Sequence, residues 1–162
     1  MHLFLLYSCN YIPRRYADKI NRYASEYGVD PAIVFAIAET ESHFNPKAKS
    51  QVGAIGIMQL MPETAKWVAK TYLSKEVLND DLFDVDLNIR LGVCYLSYLF
   101  SVFDEDWQVF AAYNAGEGTV KTWLDDEIVR KDSIPYPETK AYINKVDRAR
   151  KRFSNKNFTA FY

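Results

Sequence analysis

The chain is poor in the residues that hold a fold or a site together by covalent or coordination chemistry. Its 162 residues contain two cysteines, Cys9 and Cys94, and two histidines. Two thiols leave room for one bridge but do not make a disulfide framework. Cys94 falls inside a helical pattern and reads as a small buried apolar residue. With no Cys-x-x-Cys and so little histidine, a metal site has little support, and neither a metal nor a cofactor is expected. Charge of one sign is missing too: 20 Lys and Arg stand against 21 Asp and Glu, a net charge of −1. No overall field therefore draws the chain to nucleic acid, and no nucleic-acid partner is expected. The one basic cluster is Lys140, Lys145, Arg148, Arg150, Lys151, Arg152 and Lys156. It reads first as a solvated helix face, with an anionic polymer or membrane surface as the alternative. Apolar runs are too short to cross a bilayer. There is no internal repeat and no low-complexity linker.

What is present suits one domain with a sizeable core: 49% hydrophobic and 25% charged residues. Aromatics reach 15%, with 12 Tyr, 10 Phe and 3 Trp. Tyr and Trp join an apolar face to a polar tip, which suits stacking on sugar rings as well as a core; burial statistics favour the core for most of them. The opening "MHLFLLYSCNY" is apolar over residues 3–7 but short for a signal segment and without a preceding Lys or Arg. It reads as a stub, residues 1–12, of an export or anchor segment, through which a membrane or secretion-machinery association is open. Residues 13–153 are expected to form the domain and residues 154–162 a tail.

Most of the domain reads as helix. Tyr16, Ile20, Tyr23, Ala24 and Tyr27 stripe a first helix from about Pro13, ended by Gly28. Asp30 and Pro31 open a second that runs to about His43, with Pro46 blocking continuation. "SQVGAIGIMQLM", residues 50–61, is broken by Gly53 and Gly56 and reads as loop or short strands with one helical turn. Pro62 starts a helix with Ala65, Val68, Ala69 and Tyr72 on one face. Leu87 to Val102 is expected to be a long buried helix, with Asp84 and Asp86 as candidate caps. Shorter helices are expected at 106–115 and around Val120–Leu124, and a final one at 138–153 carries the basic cluster. The fold class is mainly α.

The second helix ends in "AIAETESHFNP", with two glutamates, Glu39 and Glu41. Taking about 100° per residue from Ile33 at zero, Ile37 falls at about 40°, Val34 at about 100° and Ala38 at about 140°. Glu41 falls at about 80°, inside that apolar arc, and Glu39 at about 240°, on the far side. Glu39 is therefore expected in solvent. Glu41 is expected in apolar surroundings, where desolvation raises a carboxyl pKa and leaves a proton to donate to a leaving-group oxygen. A glutamate turning into water at the helix end is the alternative. Ser42, Ser50, Asn45, Gln51, Gln59, Tyr113 and Asn114 supply hydrogen-bonding groups in or beside glycine-containing segments. Glu63 and Glu138 read as first-turn helix charges. Glu117 reads as an exposed residue of a glycine turn.

Three longer motifs are more specific. "ESHFNPKAKSQVGAIGIMQLMPETA" (residues 41–65) closely resembles the signature of the soluble-type lytic transglycosylases. "AAYNAGEGTVKTW" (111–123) and "IPYPETKAYINKV" (134–146) resemble that family's second and third motifs, in the same order. The resemblance runs over roughly residues 15 to 150. It implies a lysozyme-like domain, α+β in broad classification, with a groove for peptidoglycan strands. The implied reaction cleaves the β-1,4 bond from N-acetylmuramic acid to N-acetylglucosamine and leaves a 1,6-anhydro-muramic acid end. Glu41 stands where the family has its single catalytic glutamate, Ser50 where a serine helps position the muramic sugar, and Gln59 beside the acid. Met58 matches a groove-lining residue, Tyr113 and Asn114 the pair across the cleft, and Tyr142 the tyrosine near the acetamido group. His43, Ile57 and Lys140 depart from commoner residues at their positions. The implied location is the cell envelope, and a monomer is expected. A muramidase that uses water, and a non-catalytic peptidoglycan-binding domain, remain as alternatives.

Overall fold

The computed structural model describes residues 14–127 and 130–155. The expected stub at 1–12, Cys9 with any bridge it could form, and residues 156–162 lie outside them. Among the described residues the chain forms seven α-helices: α1 Arg14–Tyr27, α2 Pro31–Ser42, α3 Pro62–Leu73, α4 Val85–Val102, α5 Asp106–Ala115, α6 Glu117–Asp125 and α7 Pro137–Phe153. Two single 3-10 turns, Asp80–Phe83 and Lys131–Ser133, precede α4 and α7.

Local chemistry explains where these helices start. The Asp30 side chain accepts from the Ala32 N–H at 2.9 Å, with Pro31 at the first helical position. Asp84 accepts from the Leu87 N–H at 2.8 Å and so caps α4, whereas Asp86 instead holds Lys19, Arg22 and the Tyr23 hydroxyl of α1. Glu105 and Gln108 form a reciprocal capping box at α5. Gly28 ends α1 at φ +68°, a conformation a side chain would strain.

Helix α2 is the axis of the core. Every residue from Ala32 to Glu39 is buried, because α7 packs along one side and α1 along another. That arrangement corrects one expectation. Glu39 is 7% exposed and forms an ion pair with Arg152 of α7. An apolar arc drawn on one helix does not show which neighbours cover its other side, and here α7 does. The basic cluster is likewise only partly a free face, since Arg150 also pairs with Asp106 and Asp147. Helix α6 is longer than expected. Glu117 is its first residue, half-buried, and accepts from the Tyr98 hydroxyl at 2.8 Å and from Lys121. Tyr72 is 46% exposed rather than buried with Ala65, Val68 and Ala69.

Residues 43–61 form a loop with two isolated antiparallel bridges, Lys49–Ile55 and Ile55–Leu60. The loop is fastened from within. Asn88 of α4 is fully buried; its amide donates to Ile55 O at 3.0 Å and Leu82 O at 2.9 Å, and its carbonyl oxygen accepts from Met58 N–H at 2.8 Å. Gly56 takes φ +83° against this amide, and a Cβ there would lie 2.3 Å from Asn88 Nδ2. Gly92 lets the loop close onto α4, since its Cβ would meet Met58 Cβ at 2.9 Å.

Candidate active site

Glu41 lies on the last turn of α2, where the chain leaves the helix through left-handed conformations at His43 (φ 51°) and Phe44 (φ 61°). This sharp exit keeps Glu41 in a helical position while the following chain swings away to form the loop. Ser42 secures the junction. Its hydroxyl lies 2.7 Å from Ile57 O and 3.2 Å from Ala38 O, and it accepts from the Asn45 N–H at 3.1 Å.

From α7, the largely buried Tyr142 donates its hydroxyl to Glu41 Oε1 at 2.7 Å. Burial pushes the Glu41 carboxyl up to about 7, against the hydrogen bond from Tyr142, which favours the charged form. Among the described residues no cation and no second carboxylate perturbs it. Tyr142 and Tyr113 are both held well above the ordinary tyrosine range, first by burial and next by the Glu41 charge. Both phenols therefore stay neutral donors beside the acid. Tyr113, on α5, donates to Met58 O at 2.8 Å and so ties α5 to the loop.

The residues singled out in the sequence are brought together unevenly. Glu41, Tyr142 and Tyr113 form one electrostatic cluster. Gln59, Tyr113 and Asn114 line one cleft of about 240 Å³ together with Met61, Thr64 and Tyr95. A second cleft, between the end of α5 and the start of α7, shares Asn114 and Ala115 with the first. Met58 corrects its expectation: its side chain is 0% exposed and packs against α4, so what it offers is its backbone carbonyl to Tyr113. Gln59, at φ 49°, donates its amide to Ala48 O and Gly56 O at 3.1 and 2.9 Å. It braces the loop beneath the cleft. Ser50 accepts from the Ala54 N–H at 2.9 Å and closes its own turn. Asn114 is exposed, and its Oδ1 accepts from Thr139 of α7 at 3.0 Å, which leaves its NH₂ to donate.

Asn88 and Thr139 were not singled out in the sequence. A lone asparagine among the apolar residues of α4 is the only available sign of the first, and a buried polar group in such a setting is usually satisfied by backbone. Glu117 is no partner for Glu41. Burial raises its carboxyl, but hydrogen bonds from Lys121 and Tyr98 outweigh this and leave it lowered. Among the described residues, no group of three or more His, Cys, Asp or Glu could hold a metal, and no helix is long and apolar enough to cross a membrane.

Comparisons with known proteins identify the family and the fold. The Transglycosylase SLT domain family matches residues 18–134. The soluble lytic murein transglycosylase of Escherichia coli (strain K12) is 40% identical over 143 residues, covering 83% of this chain and 22% of that protein. Membrane-bound lytic murein transglycosylase C of Haemophilus influenzae (strain PittEE) is 34% identical over 167 residues, covering 86% of this chain and 47% of that one. Among solved structures, the 70 kDa soluble lytic transglycosylase of Escherichia coli superposes with a TM-score of 0.80 at 37% identity, covering 90% of this chain and 26% of that one. A 70-kDa soluble lytic transglycosylase in complex with bulgecin A superposes equally well, with a TM-score of 0.80 at 37% identity over 89% of this chain and 25% of that one. The chain thus spans about a fifth of the soluble relative's length and about half of the membrane-bound one's.

Proposed function

The chain belongs to the Transglycosylase SLT domain family, and from that premise we propose that it cleaves peptidoglycan glycan strands in the cell envelope. The bond broken is the β-1,4 link from N-acetylmuramic acid to N-acetylglucosamine, and the product is a 1,6-anhydro-muramic acid end. The observation that carries this reading is a lone, half-buried Glu41 with its carboxyl raised to about 7 and its orientation set by Tyr142.

Most glycosidases use two carboxylates, but substrate-assisted enzymes manage without the second. Glu41 gives its proton to the bridging oxygen as the C1–oxygen bond breaks. The 2-acetamido group of the muramic sugar stabilises the oxocarbenium-like centre. Glu41, now a carboxylate, takes the proton of that sugar's C6 hydroxyl, and the C6 oxygen bonds to C1. The proton balance closes on Glu41 and no water is consumed. Tyr142 matters at the second stage, because its hydrogen bond favours the carboxylate that must form transiently. The Asn114 NH₂ and the Ser50 hydroxyl proton are the donors available to the sugar, while Gln59 and Met58 hold the loop and Tyr113 in place.

The test is Glu41→Gln, which keeps shape and removes the transferable proton. Turnover of purified peptidoglycan is expected to fall by roughly three orders of magnitude or more, in line with the contribution of a positioned proton donor, with binding retained. Turnover within tenfold of the wild type overturns the assignment of Glu41. Binding without turnover in the wild type as well makes the domain a non-catalytic glycan binder.

A further inference from the structure

Five aromatic rings run outward from the candidate cleft in unbroken contact. Tyr113, beside Glu41, lies 5.6 Å from Tyr95, centroid to centroid. Tyr95 lies 6.3 Å from both Tyr98 and Trp67. Trp67 meets Tyr98 edge-on at 4.9 Å and Tyr72 at 5.8 Å. The strip begins inside the cleft, since Tyr113 and Tyr95 line it with Thr64. It then leaves the cleft, because Trp67 stands one turn after Thr64 on α3. Exposure rises along it: Tyr113, Tyr95 and Tyr98 are half-buried, Trp67 is 40% exposed and Tyr72 46%.

A core does not require this arrangement. Val68 and Ala69 of α3 already face inward, so Trp67 and Tyr72 present rings to solvent that packing would hide. Nor is the strip purely apolar. The Glu117 carboxylate sits at its edge, fixed by the Tyr98 hydroxyl and Lys121, next to Gly116, which lines the cleft. An aromatic face beside a fixed acceptor matches a sugar ring, which has an apolar C–H face and hydroxyl donors around its rim. A protein partner's apolar side chain would desolvate this carboxylate without offering it a further donor.

We propose that the Tyr95–Tyr98–Trp67–Tyr72 strip is a distal glycan platform, on which a sugar ring remote from the cleaved bond stacks on Trp67 and donates its hydroxyls to Glu117. The platform selects long strands over short fragments by adding contacts that a short fragment cannot reach. The proposal rests on the glycan-cleaving reading above.

The test is a binding measurement, so that it does not depend on turnover. In the Glu41→Gln background, affinity for peptide-free peptidoglycan strands is measured by calorimetry, with long strands and with the disaccharide unit. Trp67→Ala is expected to weaken long-strand binding about tenfold, since tenfold is about 1.4 kcal/mol and an aromatic contact with its buried area supplies roughly that. Trp67→Phe is expected to recover most of it, and the disaccharide affinity to change less than about twofold on the same scale. Equal long-strand affinity with and without the Trp67 ring, in folded protein, overturns the platform, and so does an equal loss for the disaccharide. A failure of the activity reading shows elsewhere, as wild-type protein that binds strands but leaves no anhydro ends.

Discussion

Tyr142→Phe isolates the hydrogen bond that sets Glu41. The ring of Tyr142 is buried, and the substitution removes only the hydroxyl that donates to Glu41 Oε1 at 2.7 Å. That bond favours the carboxylate and opposes the larger upward push from burial. A hydrogen bond to a charged group contributes about 1.5–3 kcal/mol, and about 1.4 kcal/mol corresponds to one pKa unit. Part of the bond survives with the neutral acid, whose oxygen also accepts from the phenol, so the net rise is about one unit. In the proposed mechanism Glu41 donates only when protonated, so activity is expected to fall as pH rises through its pKa. In the wild type the midpoint of that fall is expected near pH 7. In Tyr142→Phe it is expected about one unit higher, with a lower maximal rate because the carboxylate needed in the second stage has lost its stabilising donor. Initial rates of soluble muropeptide release across neutral and alkaline pH read both effects. A midpoint that stays in place or moves down would refute the role given to Tyr142.

The remaining expectations concern stability. Glu41→Gln is expected to stabilise the protein at alkaline pH. With a folded pKa of about 7 against 4.5 unfolded, the folded state binds more protons between those values, so stability falls as pH rises through that window and levels off above it. The gain over wild type is on the order of 2 kcal/mol at pH 8 and shrinks towards pH 5; thermal melts at the two pH values check it, and a pH-independent gain contradicts it. Asn88→Ala strands Leu82 O and the Met58 N–H and leaves Ile55 O with the Leu60 N–H alone, and each orphaned buried group costs about 1–3 kcal/mol. Denaturant unfolding should show a loss of about 2 kcal/mol or more; a loss below about 1 kcal/mol would mean that Asn88 does not hold the loop. Gly56→Ala, with no room for a Cβ and a left-handed φ, is expected to cost more than Gly92→Ala, whose clash is with the Met58 side chain. The reverse order would contradict the packing described.

The helices were legible because their signals are local. Asp30 with Pro31, Asp84, and the apolar stripes of α1 and α4 need only neighbouring residues to be read. The loop at 43–61 was legible only as an interruption, since its shape depends on Asn88, which is 33 residues away from Ile55. Glu39 and Glu41 mark the limit of a helical wheel. The wheel sets Glu41 among apolar neighbours, but it turns Glu39 to solvent because α7, 113 residues on at Arg152, leaves no mark on the sequence of α2. The meeting of Tyr142 with Glu41 spans 101 residues, and no periodicity carries it; the resemblance of the third motif set Tyr142 near the sugar's acetamido group without naming Glu41 as its partner. Met58 shows the reverse case, where the matched position is occupied but its side chain faces α4, and the chemistry it offers is backbone. The aromatic strip was hidden in composition, because a count of Tyr and Trp does not say which rings touch.

The central claim is that the C6 hydroxyl of the muramic sugar, and not water, attacks C1 after Glu41 has protonated the leaving oxygen. Digesting peptidoglycan in ¹⁸O-enriched water and weighing the soluble muropeptides by mass spectrometry tests it directly. The account predicts new muramic ends that are one water lighter than hydrolysed ones, carry no heavy oxygen, and are absent with Glu41→Gln. Reducing ends bearing one ¹⁸O would contradict it and make the enzyme a muramidase built on the same groove.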